Sequence, residues 1–144
     1  MTPREDALRK LVADWLRKAD DDVRVVDLLA ENACGLANPI AFHAQQAVEK
    51  YLKAFLTWHQ IPFPKTHDLE RLLFLVESVD APLAKSLEDT SILTVYGVET
   101  RYPGDRQEAT AEEAEVAISL MRKTKEDVLS ALGSNFEYND IHSP

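Results

Sequence analysis

A polar stripe on an otherwise apolar segment is the first place where this sequence could do chemistry. In the segment AFHAQQAVEKYLKA, at 41–54, polar side chains recur at intervals of three or four residues: His43, Gln46, Lys50 and Lys53. This spacing places them along one side of a helix, where they could bind the phosphate of a nucleotide. They could instead hydrogen-bond within the protein or across a self-association interface, because polar groups on an apolar helix need partners. The sequence leaves both interpretations open.

A second candidate for phosphate binding is the segment KTHD, at 65–68. Lys65 and His67 lie at a predicted helix start, where backbone N–H groups, a cation and a histidine could together hold a phosphate. The alternative is that Thr66 and Asp68 simply cap the helix and that no ligand is involved.

A third candidate is the turn RYPGD, at 101–105. Arg101 could pair with a phosphate while the ring of Tyr102 stacks on a base, a combination that suits nucleotides. The alternative is a loop anchor, in which Tyr102 packs on the protein and Arg101 bonds to backbone carbonyls.

The sequence predicts no metal site and no required cofactor. It has no glycine-rich phosphate loop, no metalloprotease helix motif and no cysteine pair, since Cys34 is its single cysteine. We interpret the acidic triplet at 20–22 as solvated surface, because three adjacent carboxylates on a helix point in three directions. A nucleotide is the candidate ligand of the three segments above, and no residue is assigned as catalytic.

Charge and hydropathy narrow the class of protein. The 144 residues carry a formal net charge of −9, which opposes general binding to nucleic acid because that binding depends on Lys and Arg displacing counterions. Any nucleotide or RNA must therefore bind at a local site. No apolar run approaches the roughly 20 residues that span a bilayer, and the N-terminus is charged where a signal peptide is apolar. We expect a cytoplasmic protein that makes no membrane contact.

The spacing of apolar residues predicts that helices carry these candidate sites. It predicts helices at about 4–33, 39–59 and 83–95, a third helix capped by Thr66, and a last helix from a Thr110–Glu113 capping box to Gly133. In the helix at 83–95 the residues predicted to face inward are Leu83, Leu87 and Ile92. A short connection at 35–39 predicts that the first two helices form an antiparallel hairpin. The predicted fold is all-α, an antiparallel up-and-down bundle of four or five helices. It forms one domain at 1–133, followed by a tail at 134–144 whose apolar side chains could dock on the bundle: Phe136, Tyr138 and Ile141.

Three segments, in order, resemble the HEPN family: FHAQQAVEKYLKAFL, then PKTHDL, then RYP before the last helix. The resemblance covers about Leu8 to Leu132. It implies an antiparallel bundle of four or five helices that is usually a homodimer. It also implies a partner, because such proteins are often encoded beside a minimal nucleotidyltransferase in toxin–antitoxin-like pairs.

The same resemblance bears on catalysis. Many HEPN proteins are metal-independent ribonucleases whose arginine and histidine, with four to six residues between them, lie near the start of the last helix and face across the dimer. Here Arg101 is followed at that distance by Arg106, Gln107 and Glu108, so the expected general acid/base is absent. We therefore predict a nucleotide-linked, dimeric interaction module that partners a nucleotidyltransferase and has no catalytic activity alone.

Two alternatives to the interaction module stay open. One is a ribonuclease in which His43 or His67 replaces the missing histidine, provided that folding brings it near Arg101. The other is an antitoxin-like or scaffolding bundle without a ligand, in which the polar side chains of the second helix are packing groups.

Overall fold

The chain folds into a bundle of helices in which the second helix is central. The computed structural model describes residues 2–32, 35–97 and 108–136, and within these ranges there is no β-strand. The α-helices are α1 (Pro3–Glu31), α2 (Ala37–Trp58), α3 (Leu69–Glu77), α4 (Ala81–Ser86) and α5 (Ala111–Leu132). The 3-10 helix η1 (Glu88–Tyr96) follows α4, and the 3-10 helix η2 (Gly133–Asn135) follows α5. This architecture confirms the predicted all-α helical bundle.

Helix α1 begins where local hydrogen bonds favour it. Thr2 and Glu5 form a capping box, in which the Glu5 backbone N–H donates to Thr2 Oγ1 at 3.1 Å and the Thr2 N–H donates to Glu5 Oε2 at 2.8 Å. Pro3 fills the first helical position, where a missing N–H costs nothing. The buried apolar positions are separated by alternating steps of four and three residues: Val12, Leu16, Ala19, Val23 and Val26.

Helix α2 is buried on several sides, because apolar residues cover more than one of its faces. It packs along α1 and α5 and also contacts α3 and η1. Its fully buried apolar side chains are Ala41, Ala44, Ala47, Val48, Tyr51, Leu52, Ala54 and Leu56. Gly35 precedes it with a φ of +69°, a left-handed conformation that glycine adopts without a steric penalty.

Side-chain contacts confirm that α1 and α2 form an antiparallel hairpin. The Arg9 guanidinium lies 5.6 Å from the Trp58 ring centroid, Asp20 is bonded to Tyr51, and Asp22 contacts His43. Residue numbers therefore rise along one helix while they fall along the other. None of the helices in the described ranges is long and apolar enough to cross a bilayer.

The structure corrects the predicted start of the third helix. Asp68 caps α3, because its Oδ1 accepts a hydrogen bond from the Glu70 backbone N–H at 3.1 Å. Thr66 instead closes the preceding turn, since its Oγ1 accepts from the Asp68 N–H at 3.0 Å. The prediction named the right segment but assigned the cap two residues too early.

The predicted helix at 83–95 is in fact two helices. Asp80 caps the short α4 through its Oδ1, which accepts from the Leu83 N–H at 3.0 Å, and η1 continues after it with 3-10 geometry. Hydroxyl groups favour this tighter winding by donating to carbonyls three residues earlier, as Thr90 does to Leu87 at 2.7 Å. From Leu87, which immediately precedes η1, the buried positions accordingly recur every three residues: Leu87, Thr90, Leu93 and Tyr96. Ile92 was predicted to face inward and is exposed because it falls outside this register.

Helix α5 starts at the predicted capping box. The Glu113 N–H donates to Thr110 Oγ1, and the Thr110 N–H donates to Glu113 Oε1, each at 3.0 Å. The helix ends at Gly133, whose φ is +65°. Beyond it Phe136 is buried, with its ring 5.1 Å from that of Trp58, which confirms docking for this residue. The corresponding predictions for Tyr138 and Ile141 lie outside the described residues.

Candidate functional site

The polar stripe predicted on α2 divides between two clusters. The first, here called the Asp22 cluster, consists of Asp22, His43 and Lys50. His43 Nδ1 lies 2.9 Å from Asp22 Oδ1, and Lys50 Nζ donates to Asp22 Oδ2 at 2.6 Å. Because His43 and Lys50 are two helical turns apart, both face the same part of α1. Each of these two candidate residues thus already has a carboxylate partner.

A neighbouring carboxylate on α1 is bound in a similar way. Tyr51 OH donates to Asp20 Oδ1, and Lys125 Nζ from α5 lies 3.1 Å from the same oxygen. Burial raises the pKa of Tyr51 above its ordinary value, and the hydrogen bond to Asp20 and the negative charges of Asp20 and Asp22 raise this pKa further. Tyr51 therefore remains a neutral hydroxyl donor at physiological pH.

These contacts show that the interpretation of the acidic triplet as solvated surface is wrong for two of its members. Asp20 and Asp22 are buried, because α2 and α5 supply cations and a hydroxyl group to their carboxylates. Asp21 alone is exposed. Among the residues that the structure describes, no group of His, Cys, Asp and Glu side chains could hold a metal ion.

The second cluster, here called the Glu49 cluster, consists of Gln45, Glu49, Lys53 and His67. Glu49 Oε1 lies 2.7 Å from His67 Nδ1 and accepts from Gln45 Nε2 at 3.3 Å, while its Oε2 accepts from Lys53 Nζ at 3.0 Å. The Glu49 and Lys53 side chains are only 5% and 8% exposed. A buried charge needs such partners, because its desolvation is otherwise unfavourable.

The remaining contacts of this cluster place two more of the stripe residues. Gln46 Nε2 donates to Gln45 Oε1 at 2.6 Å, and Gln45 Nε2 also donates to the carbonyl oxygen of His67 at 3.1 Å. Lys53 Nζ lies 5.6 Å from the ring centroid of Trp15 and 5.8 Å from that of Phe63, in cation–π contact with both. Lys53 is therefore enclosed by its neighbours, and the four stripe residues do not converge on one point.

His67 differs from the other members of the Glu49 cluster in its exposure. Its side chain is 58% exposed, although Nδ1 contacts the buried Glu49 carboxylate. A proton on Nδ1 satisfies that carboxylate. The exposed Nε2 is then an acceptor in the neutral ring and a donor in the protonated ring. Lys65 is also exposed and forms no ion pair with any described residue. These two predicted residues are therefore accessible to a ligand.

Gly97 brings the end of η1 against the Glu49 cluster. A Cβ atom at this position would lie 3.0 Å from the His67 Cβ and 3.3 Å from the Gln45 Cδ, so a side chain would crowd both. After Gly97 the chain enters the segment 98–107, and the predicted Arg101 and Tyr102 lie there, outside the described residues. Beyond this segment, the Ala109 N–H donates to Asn38 Oδ1 at 2.6 Å, at the start of α2.

An exposed apolar surface lies on the other side of η1. This surface, here called the η1–α5 patch, contains Ile92, Val95 and Val116, whose side chains are 56%, 52% and 47% exposed. They line a groove of about 330 Å³ together with Tyr96, whose hydroxyl donates to Glu113 Oε2 at 2.8 Å. Exposed branched side chains grouped in this way are typical of an association surface.

Sequence reasoning missed the residues at the centres of both clusters. Glu49 lies between Gln45 and Lys53 at successive intervals of four, so these three side chains share one helix face. That spacing could have identified the Glu49 cluster. Asp22 gave no comparable signal, because its partners lie 21 and 28 residues away in the chain.

A comparison with protein families finds one match. The family model described as "HEPN domain" matches residues 12–131. These residues include α2, α3, η1 and most of α1 and α5, and hence both polar clusters. No curated protein and no solved structure matches the chain.

Proposed function

Because the chain belongs to the HEPN family, we propose that it is a nucleotide-linked helical interaction module. In this proposal it forms a homodimer, partners a minimal nucleotidyltransferase in a toxin–antitoxin-like pair, and has no catalytic activity of its own. The observation that carries the nucleotide part is the accessible His67, which Glu49 orients beside Gly97, where the segment with Arg101 and Tyr102 begins.

The charges within the two clusters favour binding of an anion beside His67 and not at the Asp22 cluster. In the Asp22 cluster, one carboxylate already compensates Lys50 and contacts His43, so a phosphate there would have to displace Asp22. In the Glu49 cluster, the buried Lys53 compensates Glu49. The exposed Lys65 and the protonated form of His67, which donates through Nε2, are then available to a phosphate, and we propose that Arg101 and Tyr102 complete the site.

The η1–α5 patch supports the proposed homodimer. Its exposed apolar side chains lie on both sides of the segment 98–107, on η1 and near the start of α5. Covering Ile92, Val95 and Val116 with a second copy would remove apolar surface from water, which is the main favourable contribution to association.

A nucleotide panel tests the proposed site. Isothermal titration of the purified protein with ATP, GTP, AMP and inorganic phosphate should give saturable binding for at least one of these ligands. Lys65→Ala and His67→Ala should each weaken it by about tenfold or more, the effect of losing one charge-assisted contact. Lys10→Ala removes an exposed lysine from α1 and serves as the control, with unchanged binding. Absence of binding throughout the panel would contradict the nucleotide part of the proposal.

One observation favours a metal-independent ribonuclease as a second candidate. A carboxylate-bound histidine with an accessible Nε2 has the arrangement of a general base, and His67 has both features. Incubation with total RNA in a chelator distinguishes the two functions. The interaction module predicts intact RNA, whereas cleavage that disappears in both His67→Ala and Arg101→Ala would establish the ribonuclease. Cleavage that survives both substitutions would identify a contaminant.

The partner is tested by recovery from the native host. Tagged protein is purified at physiological salt, and the proteins that remain bound are identified by mass spectrometry. A stoichiometric nucleotidyltransferase supports the proposed pairing. Recovery of the helical protein alone would contradict the pairing and leave the nucleotide site to be judged by the titrations.

A further inference from the structure

A second groove lies between α3 and the segment formed by α4 and η1. This groove, here called the α3–α4 groove, has a volume of about 590 Å³. Buried Leu73 and Ala84 belong to its lining, and Phe74 is 72% exposed, more than any other large hydrophobic side chain in the described residues. An aromatic ring left in water beside a concave surface is available to a partner.

The α3–α4 groove is also acidic. Glu70, Glu77 and Glu88 line it, and Lys85 is the one cation among the lining residues. Lys85 Nζ lies 3.9 Å from Glu88 Oε2, so it partly offsets that carboxylate and leaves the other two without a cation in the groove. Glu70 and Glu77 flank Phe74 on the same side of α3, because positions separated by four and three residues share a helix face.

This combination of charge and apolar surface excludes several occupants. The carboxylates repel the phosphates of nucleic acid. Pairing with a second copy through the same groove would oppose like charges, in a chain whose net charge is already −9. The C-terminal residues 137–144, EYNDIHSP, contain two acidic residues and no lysine or arginine, so they are not complementary either.

We propose that the α3–α4 groove binds a basic amphipathic helix of a partner protein. An apolar side chain of that helix would pack against Leu73 and Phe74, and flanking lysine or arginine side chains would pair with Glu70 and Glu77. The stretch from Glu70 to Glu77 spans about 10 Å of helix, enough to face two turns of a partner helix. Recognition through apolar anchors spaced by one and two turns is an established mode for such grooves. This inference does not depend on the proposed nucleotide site.

The experiment selects peptides without assuming a partner. A displayed library of random peptides, each roughly 16 residues long and able to form about four helical turns, is selected on the full-length protein. The pool is depleted on the triple variant Phe74→Ala, Glu70→Gln, Glu77→Gln. Peptides that survive should combine net positive charge with large apolar residues at helical spacing. The best of them is then synthesised with a fluorescent label for anisotropy titrations.

The titrations separate the apolar and the electrostatic contacts. Phe74→Ala should weaken binding by about tenfold or more, since loss of an aromatic anchor has effects of this size. Glu70→Gln together with Glu77→Gln should weaken binding at low salt and reduce its dependence on salt concentration. Leu28→Ala removes another exposed apolar side chain, 60% exposed on α1, and should leave binding unchanged.

Three results would overturn the inference. The selection could yield no peptide that depends on the groove, or the selected peptides could be neutral or acidic. The variants at Phe74 and at the two glutamates could also bind the labelled peptide as tightly as the wild type does. Because all three residues are exposed, circular dichroism of the variants should match that of the wild type, so loss of binding is not confused with unfolding.

Discussion

The substitution Glu49→Leu tests whether the Glu49 cluster is a buried ionic network. It removes a carboxylate that accepts from Lys53 and Gln45 and contacts His67, while it keeps a side chain of similar volume. Lys53 is then left buried with no carboxylate partner. The helix should still form, because leucine has a helix propensity at least as high as that of glutamate.

The expected loss of stability follows from the contacts. Removing one partner of a buried ion pair costs about 3–5 kcal/mol, because the other charge stays desolvated without compensation. Lys53 keeps its cation–π contacts with Trp15 and Phe63, and Gln45 keeps its bond to the His67 carbonyl. We therefore expect the lower end of this range, about 3 kcal/mol. At about 2–4 °C per kcal/mol for a domain of this size, Tm should fall by roughly 6–12 °C.

Urea denaturation followed by circular dichroism measures this loss. The double variant Glu49→Leu, Lys53→Met should recover most of it, because two apolar side chains of similar volume replace an ion pair at little net cost. Lys123→Ala breaks an exposed pair with Asp127, 49% and 27% exposed, and should cost less than about 1 kcal/mol. A loss below about 1 kcal/mol for Glu49→Leu alone, or no recovery in the double variant, would refute the argument for a desolvated Lys53.

Three further predictions concern other parts of the molecule. Ile92→Arg should convert the proposed dimer to a monomer in light scattering, whereas Leu28→Arg should not, because only Ile92 belongs to the η1–α5 patch. The raised pKa of Tyr51 contributes stability that is fully present below the unfolded pKa of about 10 and is lost as pH rises towards the folded pKa. The stability advantage of the wild type over Tyr51→Phe should therefore shrink by roughly 1 kcal/mol per pH unit above pH 10, and a constant difference would contradict it. Thr110→Ala should cost about 1 kcal/mol in denaturant by removing the α5 cap, and an unchanged midpoint would argue against that cap.

The sequence predicted the helix ends well where these depend on residues that are close together in the chain. The Thr110–Glu113 capping box and Gly133 bound α5 as predicted, since the hydrogen bonds at helix ends involve residues close in sequence. The segment after Pro82 was predicted as one helix at 83–95 with Leu83, Leu87 and Ile92 facing inward. Its hydroxyl side chains favour 3-10 winding. Buried residues then recur every three residues, whereas in an α-helix they would recur at intervals of three and four. Ile92 was therefore assigned to the wrong side.

The candidate site was predictable only in part because its partners are distant in sequence. The spacing on α2 identified His43 and Lys50, yet it could not show that both contact Asp22 on α1. Burial of Asp20 and Asp22 depends on how α2 and α5 pack, and composition near the triplet gave no sign of it. Gln45 and Glu49 lie one position before Gln46 and Lys50, so the predicted stripe did not include them. Long-range pairing, not local pattern, decides which of these polar groups remain accessible.

Helix η1 links the two surfaces of the proposed function, and this linkage is itself testable. One side of η1 carries Ile92 and Val95 of the η1–α5 patch, and Gly97 at its end lies against His67. The two binding equilibria are coupled reciprocally. If nucleotide binding changes the affinity of the dimer by some factor, dimerisation changes the affinity for the nucleotide by the same factor. Sedimentation of the protein with and without saturating nucleotide measures the first factor, and titrations of the wild type and of Ile92→Arg measure the second. Because the segment with Arg101 joins η1 to α5, we expect nucleotide to strengthen the dimer. Equal dimer affinities with and without nucleotide would show that the two surfaces act independently.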